Sequence, residues 1–280
     1  MQIAIIPTTG GSDPFRGMEA AVELGVEGVH IGATGGALDL EHKTRAERRD
    51  ILKRIQGYGL TVSALIGWGG QVDLGEEKDY RENIEWGKRL NEVAVDLAGG
   101  LWMAHVGIMP DDHSDPHWSR FLDALGEIAA HGQSIGATLA LETGPEPPKV
   151  VRRMIEAVNS PGLRVNFDPA NLLLWPPHIA QRRGVPLDYD AALRDFDPVE
   201  GLRTLIPYVV HAHAKDSVLR RDGSRDEVPL GTGMTNWPVL HSIFCAHGYK
   251  GFYAIERECG ADAMGDVRKA VAFLRSLPNG

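Results

Sequence analysis

Cysteine is nearly absent from this chain. Only Cys245 and Cys259 occur in 280 residues, too few for a disulfide scaffold and in keeping with a reducing compartment. Basic charge is in deficit: 29 Lys and Arg against 38 Asp and Glu leave a net charge of −9 with histidine neutral. That balance argues against a nucleic-acid surface or an anionic-membrane surface. No apolar run approaches the roughly 20 residues of a membrane span. The start, Met1 to Pro7, has no basic stretch or long apolar segment that would mark a signal peptide. No Gly-x-Gly-x-x-Gly follows the first apolar run, so the dinucleotide fingerprint of an open doubly wound sheet is missing. These absences leave a soluble cytoplasmic protein as the expectation, with a homo-oligomer allowed.

What is present is a regular alternation. Apolar runs at Gln2 to Pro7, Gly28 to Gly32, Leu60 to Ile66, Leu101 to Val106, Thr138 to Thr143, Leu163 to Phe167, Tyr208 to Ala214 and Phe252 to Glu256 read as eight strands. Helical patterns separate them: Phe15 to Leu24, Thr44 to Gln56, Asp79 to Leu97, Pro116 to His131, Pro148 to Val158, Trp237 to His247 and Ala263 to Leu277. The third strand is closed by the loop Gly67-Trp68-Gly69-Gly70. The strands are apolar enough for burial on both faces. Eight such units in this length predict an α/β fold, a single (β/α)8 TIM barrel over residues 1–280. Two segments exceed what a plain barrel needs: Trp175 to Pro186, rich in Pro and Arg, and Ser217 to Gly233, rich in charge and Gly. Both are expected to be extended βα loops covering substrate at the C-terminal face.

The run Leu163 to Asp168 shows where chemistry sits. Leu163, Val165 and Phe167 alternate with Arg164 and Asn166, and Asp168-Pro169 must stop the ladder, since proline donates no N–H. Asp168 alone could cap the next element. But Glu142, His213 and Glu256 occupy the corresponding ends of strands five, seven and eight. In a closed barrel these four ends are neighbours on one rim. Three carboxylates and one imidazole without a thiolate make an oxygen-rich site suited to Mn²⁺, Mg²⁺ or Co²⁺, with Zn²⁺ also accommodated. Two octahedral positions stay open, enough for a substrate carbonyl and its adjacent hydroxyl. His211 shares a strand face with His213 and is read as a hydrogen-bonded core histidine. His30 and His105 point inward near the same mouth, as packing or substrate residues. Trp68 and Trp175, in loops at that end, are either core or covers for the apolar face of a sugar.

The segments Leu139-Ala-Leu-Glu-Thr143, Phe167-Asp-Pro-Ala-Asn171, His211-Ala-His-Ala-Lys-Asp216, Val228-Pro-Leu-Gly-Thr-Gly233 and Gly248 to Glu258 resemble the xylose isomerase-like TIM-barrel superfamily. More narrowly, they resemble its sugar phosphate isomerase/epimerase group. The resemblance implies a divalent metal held by Glu142, Asp168, His213 and Glu256, with Glu142 and Glu256 as the acid/base pair of epimerising members. Asn171 replaces a histidine of the ketose 3-epimerases, so it is expected to orient substrate or a ligand carboxylate. A substrate-contacting arginine of some relatives falls near Arg221. The implied activity is metal-dependent isomerisation or epimerisation of a small-molecule sugar or keto-sugar, by proton abstraction α to a carbonyl through an enediolate. The alternative is a lyase or dehydratase acting on a keto-sugar, inosose or 3-keto-glycoside, with His30, His105 or Lys215 as a separate acid. A repair nuclease would need more metal-binding side chains and a basic groove.

Overall fold

The computed structural model describes residues 1–11, 13–68 and 72–278. Gly69 and Gly70 of the loop after the third strand lie outside the described residues, as do Asn279 and Gly280. Among the described residues ten strands are formed: β1 Gln2–Ile5, β2 Gly28–Gly32, β3 Thr61–Ile66, β4 Leu101–Ala104, β5 Thr138–Glu142, β6 Leu163–Phe167, β7 Val209–Ala214, β8 Asp216–Leu219, β9 Arg225–Val228 and β10 Phe252–Ile255. The α-helices are α1 Pro14–Leu24, α2 Arg45–Gly57, α3 Tyr80–Leu97, α4 Pro116–Ile135, α5 Pro148–Val158, α6 Asn171–Arg182, α7 Tyr189–Asp195, α8 Pro198–Leu205, α9 Trp237–Ala246 and α10 Ala263–Ser276. Eight strands close in the order β1-β10-β7-β6-β5-β4-β3-β2, each pair parallel. This is the (β/α)8 barrel expected from the alternation.

The register sets the site's layers. Glu142 pairs with Asn166, Asn166 with His211 and His213 with Ala254. Asp168, His213 and Glu256 each lie two residues beyond Asn166, His211 and Ala254 on their own strands, so on the same face one step nearer the C-terminal rim, where Glu142 ends β5. The β6/β7 register shifts between Val165 and Asn166, and β2/β3 between Val29 and His30. Such irregularities bend a strand and re-aim side chains, and both occur beside polar residues of the barrel interior.

The two long segments fold further than the sequence suggests. Trp175 to Pro186 is mostly helix: Pro176 and Pro177 lie inside α6. Each proline removes one helical donor, a cost the sequence weighs heavily. What overrides it is packing. Leu173 of α6, Ala192 of α7 and Leu219 of β8 form their own buried cluster. The partner surface is the second segment, where β8 and β9 pair as an antiparallel hairpin. Asp222-Gly223 sits at its tip, with Gly223 at φ 83°, the left-handed conformation a tight turn uses. Asp216 fixes the return of this segment. Its carboxylate accepts from Ser217 N, Gly231 N, Gly233 N and Thr235 N and from Thr235 Oγ1.

Trp68 is buried at 2% exposure against Trp86 and Trp102. It therefore offers no face to a sugar. Its indole N–H donates to the His105 carbonyl at 2.7 Å, so it supports the site from beneath. Among the described residues, no helix is long and apolar enough to cross a membrane.

One buried acid carries a prediction. Glu146, just after β5, is 2% exposed, and burial without a cationic partner pushes its carboxyl up to about 8. The folded protein then holds a proton that the unfolded chain releases near the ordinary value of 4.5. Stability therefore falls as pH rises from about 4.5 to 8 and stays low above, by at most about 5 kcal/mol. Glu146→Gln keeps the acceptor and removes the titration. Thermal melts should show the variant and the wild type within about 2 °C at pH 5. At pH 9 the variant should melt about 5–15 °C higher. Parallel curves across that range would refute it.

Candidate metal centre

Each member of the cluster is placed by its own strand end. Asp168 divides its two oxygens. Oδ1 accepts from Ala170 N at 2.8 Å and Asn171 N at 3.0 Å, holding the start of α6. Oδ2 is buried with no hydrogen-bond partner. One oxygen thus caps the helix and the other is left over for a ligand. Thr143 locks the strand end from the side: its hydroxyl donates to Asp168 O and accepts from Asp168 N. Nothing in the sequence pattern singles Thr143 out beyond its place after Glu142.

His213 faces Glu142 Oε1 at 3.0 Å, Glu256 Oε2 at 3.1 Å and Asp168 Oδ2 at 3.5 Å, all from Nδ1. Yet Nδ1 is in hydrogen-bond geometry with none of them. One donor atom from each of Glu142, Asp168, His213 and Glu256 lies within 4.8 Å of the others. Four donors, those of Asp168 and His213 fully buried, converge on a common point. That is the arrangement a divalent cation completes, because buried carboxylates need a positive partner. The residues fit such an ion on this chain's own geometry. In the protein alone, burial disfavours charge on His213, but Glu256 and Glu142 outweigh it and hold the imidazolium well above its usual range. Burial likewise disfavours the Glu256 carboxylate, but His213 and Lys215 keep it well below the usual range. Asp168 is pushed up by burial, against the pull of Lys215 and His213.

The two glutamates have different neighbours. Glu142 Oε2 lies 3.1 Å from His105 Nε2, and Asn171 Nδ2 donates to its Oε1 at 3.3 Å. Glu256 Oε2 accepts from Lys215 Nζ at 2.9 Å. Lys215 is 3% exposed, and its ammonium also donates to Glu258 and lies 4.0 Å from Glu227. Lys215 thus reaches the cluster as the partner of a ligand. Sequence reasoning misses Glu227, and sees Glu258 only as sharing a strand face with Glu256, which is closer to the apolar run Phe252 to Ile255. The alternation of β9 after Asp222-Gly223 could have exposed Glu227, which faces inward to accept from Arg257 at 2.7 Å and from Glu258 N with both oxygens.

The remaining candidates fall in three places. His105 is accessible, one-fifth exposed in its side chain, with Trp175 edge-on at 5.4 Å. His30 is fully buried, 4.7 Å from His211 and 5.1 Å from His213 between ring centres. Burial, then the charge of His213, lowers its pKa to about 3, so it is a neutral ring beneath the cluster. His211 bonds Asn166 Oδ1 and Ser63 Oγ, the core role expected of it. Arg221 is a correction. It is three-quarters exposed at the hairpin tip, paired with Asp190 and lying over Tyr189, outside the cluster. The extra residues between Lys215 and Arg221 form β8, which carries the arginine away.

A barrel with ligand-type side chains on four adjacent strand ends has the layout of an active-site face. The family follows: residues 18–277 match the xylose isomerase-like TIM barrel, and the chain belongs to that family. By sequence, no curated protein matches it. Among solved structures it is similar to a xylose isomerase domain protein from Planctomyces limnophilus. They share 24% identity and a TM-score of 0.79, over 98% of this chain and 95% of that one. It is also similar to a probable 3-DHS dehydratase of petrobactin synthesis from Bacillus anthracis, at 17% identity and TM-score 0.73, over 99% and 100%. A 3-keto-D-glucoside 4-epimerase from E. coli shares 14% identity and TM-score 0.72, over 99% and 100%. At these identities the likeness is one of fold.

Proposed function

We propose that this protein is a divalent-metal-dependent sugar isomerase or epimerase that moves a proton α to a substrate carbonyl. The observation that supports it is the convergence of Glu142, Asp168, His213 and Glu256, with Asp168 Oδ2 and both ring nitrogens of His213 buried and without a hydrogen-bond partner among the described residues. The oxygen-rich donor set favours Mn²⁺, with Mg²⁺, Co²⁺ or Zn²⁺ as substitutes. When bound, the ion would polarise the carbonyl and neutralise the negative charge that develops beside it. Glu256 and Glu142 take and return the proton from the two sides of the reacting carbon. His105, with Trp175 beside it, orients the sugar at the accessible wall. A keto-sugar fits this chemistry, since its carbonyl acidifies the neighbouring C–H. The two cysteines are free, in agreement with a reducing, cytoplasmic setting.

The lyase reading is favoured by one specific feature, the unequal setting of the two glutamates. An elimination needs one base and a separate acid, and His105 stands beside Glu142. The deciding experiment incubates the Mn²⁺-loaded protein in D₂O with a panel of ketoses, inososes and 3-keto-glycosides. Deuterium α to the carbonyl with an isomeric product is expected. Release of water or an aglycone would select the lyase, and absence of exchange across the panel would remove both readings.

Asn171 gives a narrower test. It donates to Glu142 but stands outside the four donors. Asn171→Ala should lower turnover about 10-fold, in the range of a lost hydrogen bond to a charged group. Metal content measured by plasma mass spectrometry should stay near one ion per chain. Loss of the ion would make Asn171 a ligand.

A further inference from the structure

Beside the metal centre, on the β4–β5–β6 side, lies a cavity of about 320 Å³. Its walls are mostly apolar, with Met109, Val150, Ile179, Leu187 and Phe196 among them, and Glu146 opens into it. Glu146 is more than nine-tenths buried. Among the described residues, its carboxyl accepts from one other residue, Met109, whose N–H lies 2.7 Å from Oε1, and it forms no ion pair there. The other buried acids of this chain are answered otherwise. Asp216 collects five donors, Asp266 pairs with Arg257 and Lys269, and Asp168 faces Lys215 and His213.

A buried carboxyl with no cation is costly unless a partner arrives from outside. The charged groups around the cavity do not supply one. Asp111 is engaged with Lys149 and Arg153, Asp195 with Arg194, and Asp188 caps α7. Among the described residues, Arg183 is the one cation of the wall, on the exposed rim. Asp73, half-buried, lies close enough to push Glu146 further up. We propose that this cavity binds a small organic ammonium ion with an apolar body, the ammonium pairing with Glu146 and the body filling the pocket.

The location gives such a ligand a route to the metal centre. The cavity and the catalytic rim are two sides of the same three segments. The segment after β4 carries His105 toward the metal and Met109 toward the cavity. The segment around β5 carries Glu142 and Glu146, and α6 carries Asn171 and Ile179. A ligand here would restrain all three.

The test uses the full metal-loaded chain with 2-phenylethylammonium and its neutral analogue, 2-phenylethanol, followed by calorimetry and thermal shift. The ammonium compound is expected to bind at least about 10-fold tighter than the alcohol at pH 8.5, as for a charge-assisted pair. Its affinity should rise about 10-fold from pH 6.5 to 8.5, because it selects the ionised Glu146. Glu146→Gln should erase the preference for the ammonium compound, and Ala180→Phe, which fills the cavity, should abolish binding of both. Equal binding of the two compounds, an ammonium preference that survives Glu146→Gln, or no binding of either up to millimolar concentrations would each overturn the proposal.

Discussion

Glu256→Gln is expected to lower turnover by about 10²–10⁴, the usual worth of a positioned acid or base. Glutamine keeps the side-chain shape and one oxygen toward His213, so the ion should stay bound with some loss of affinity. What disappears is the carboxylate that can accept a proton from carbon. Lys215 sharpens the expectation, since its buried ammonium 2.9 Å away fixes the orientation of Glu256. Glutamine can accept from Lys215 only through its single amide oxygen and carries no charge to hold it. Glu142→Gln should fall by a similar factor if the reaction is an epimerisation, because that chemistry needs a proton-transfer group on each side of the carbon. If the reaction is an elimination, one of the two variants should remain nearly active, and solvent deuterium should enter at one face only. Turnover measured beside metal content, with deuterium located by NMR, separates these cases. Near wild-type rates in both variants at full metal occupancy would show that neither carboxylate transfers the proton.

The barrel and the four convergent side chains are legible in the sequence for the same reason. Strand ends are marked by strong local rules, such as the proline after Asp168, and a parallel barrel turns strand ends into one rim. Residues whose role depends on a contact between distant segments are harder. Trp68 follows a strand at the catalytic face, which suggests substrate. Only the packing of Trp86 and Trp102 around it shows that it faces the core. Arg221 is placed by counting from His213, and the count fails because β8 intervenes. The Pro176-Pro177 pair speaks for a loop, yet tertiary burial of Leu173 against Leu219 keeps α6 helical through it. Glu227 carries only the weak local signal of the alternation in β9. Its neighbours Arg225 and Asp226 are charged too, and only the register of β9 against β8 turns it alone toward Arg257 and Lys215.

His213→Ala is expected to abolish metal-induced stabilisation. An ion that binds the folded site at about 100 times its dissociation constant adds about 2.7 kcal/mol, a rise of roughly 5–10 °C in melting temperature for a chain of this size. His213 is the one imidazole among the four proposed ligands, and its Nδ1 faces all three carboxylates. Without it the three acids repel one another around an incomplete site, so the metal-free melting temperature should also fall. The quantity to read is therefore the difference with and without Mn²⁺ in each variant. His211→Ala is the matching control. It lies one layer deeper on the same strand face and bonds Asn166 and Ser63 instead. It should lower the baseline through lost packing and hydrogen bonds while preserving the metal-induced rise. A rise that survives in His213→Ala would remove the assignment, and a rise lost in His211→Ala alone would move the ion one layer down, toward His30 and His211.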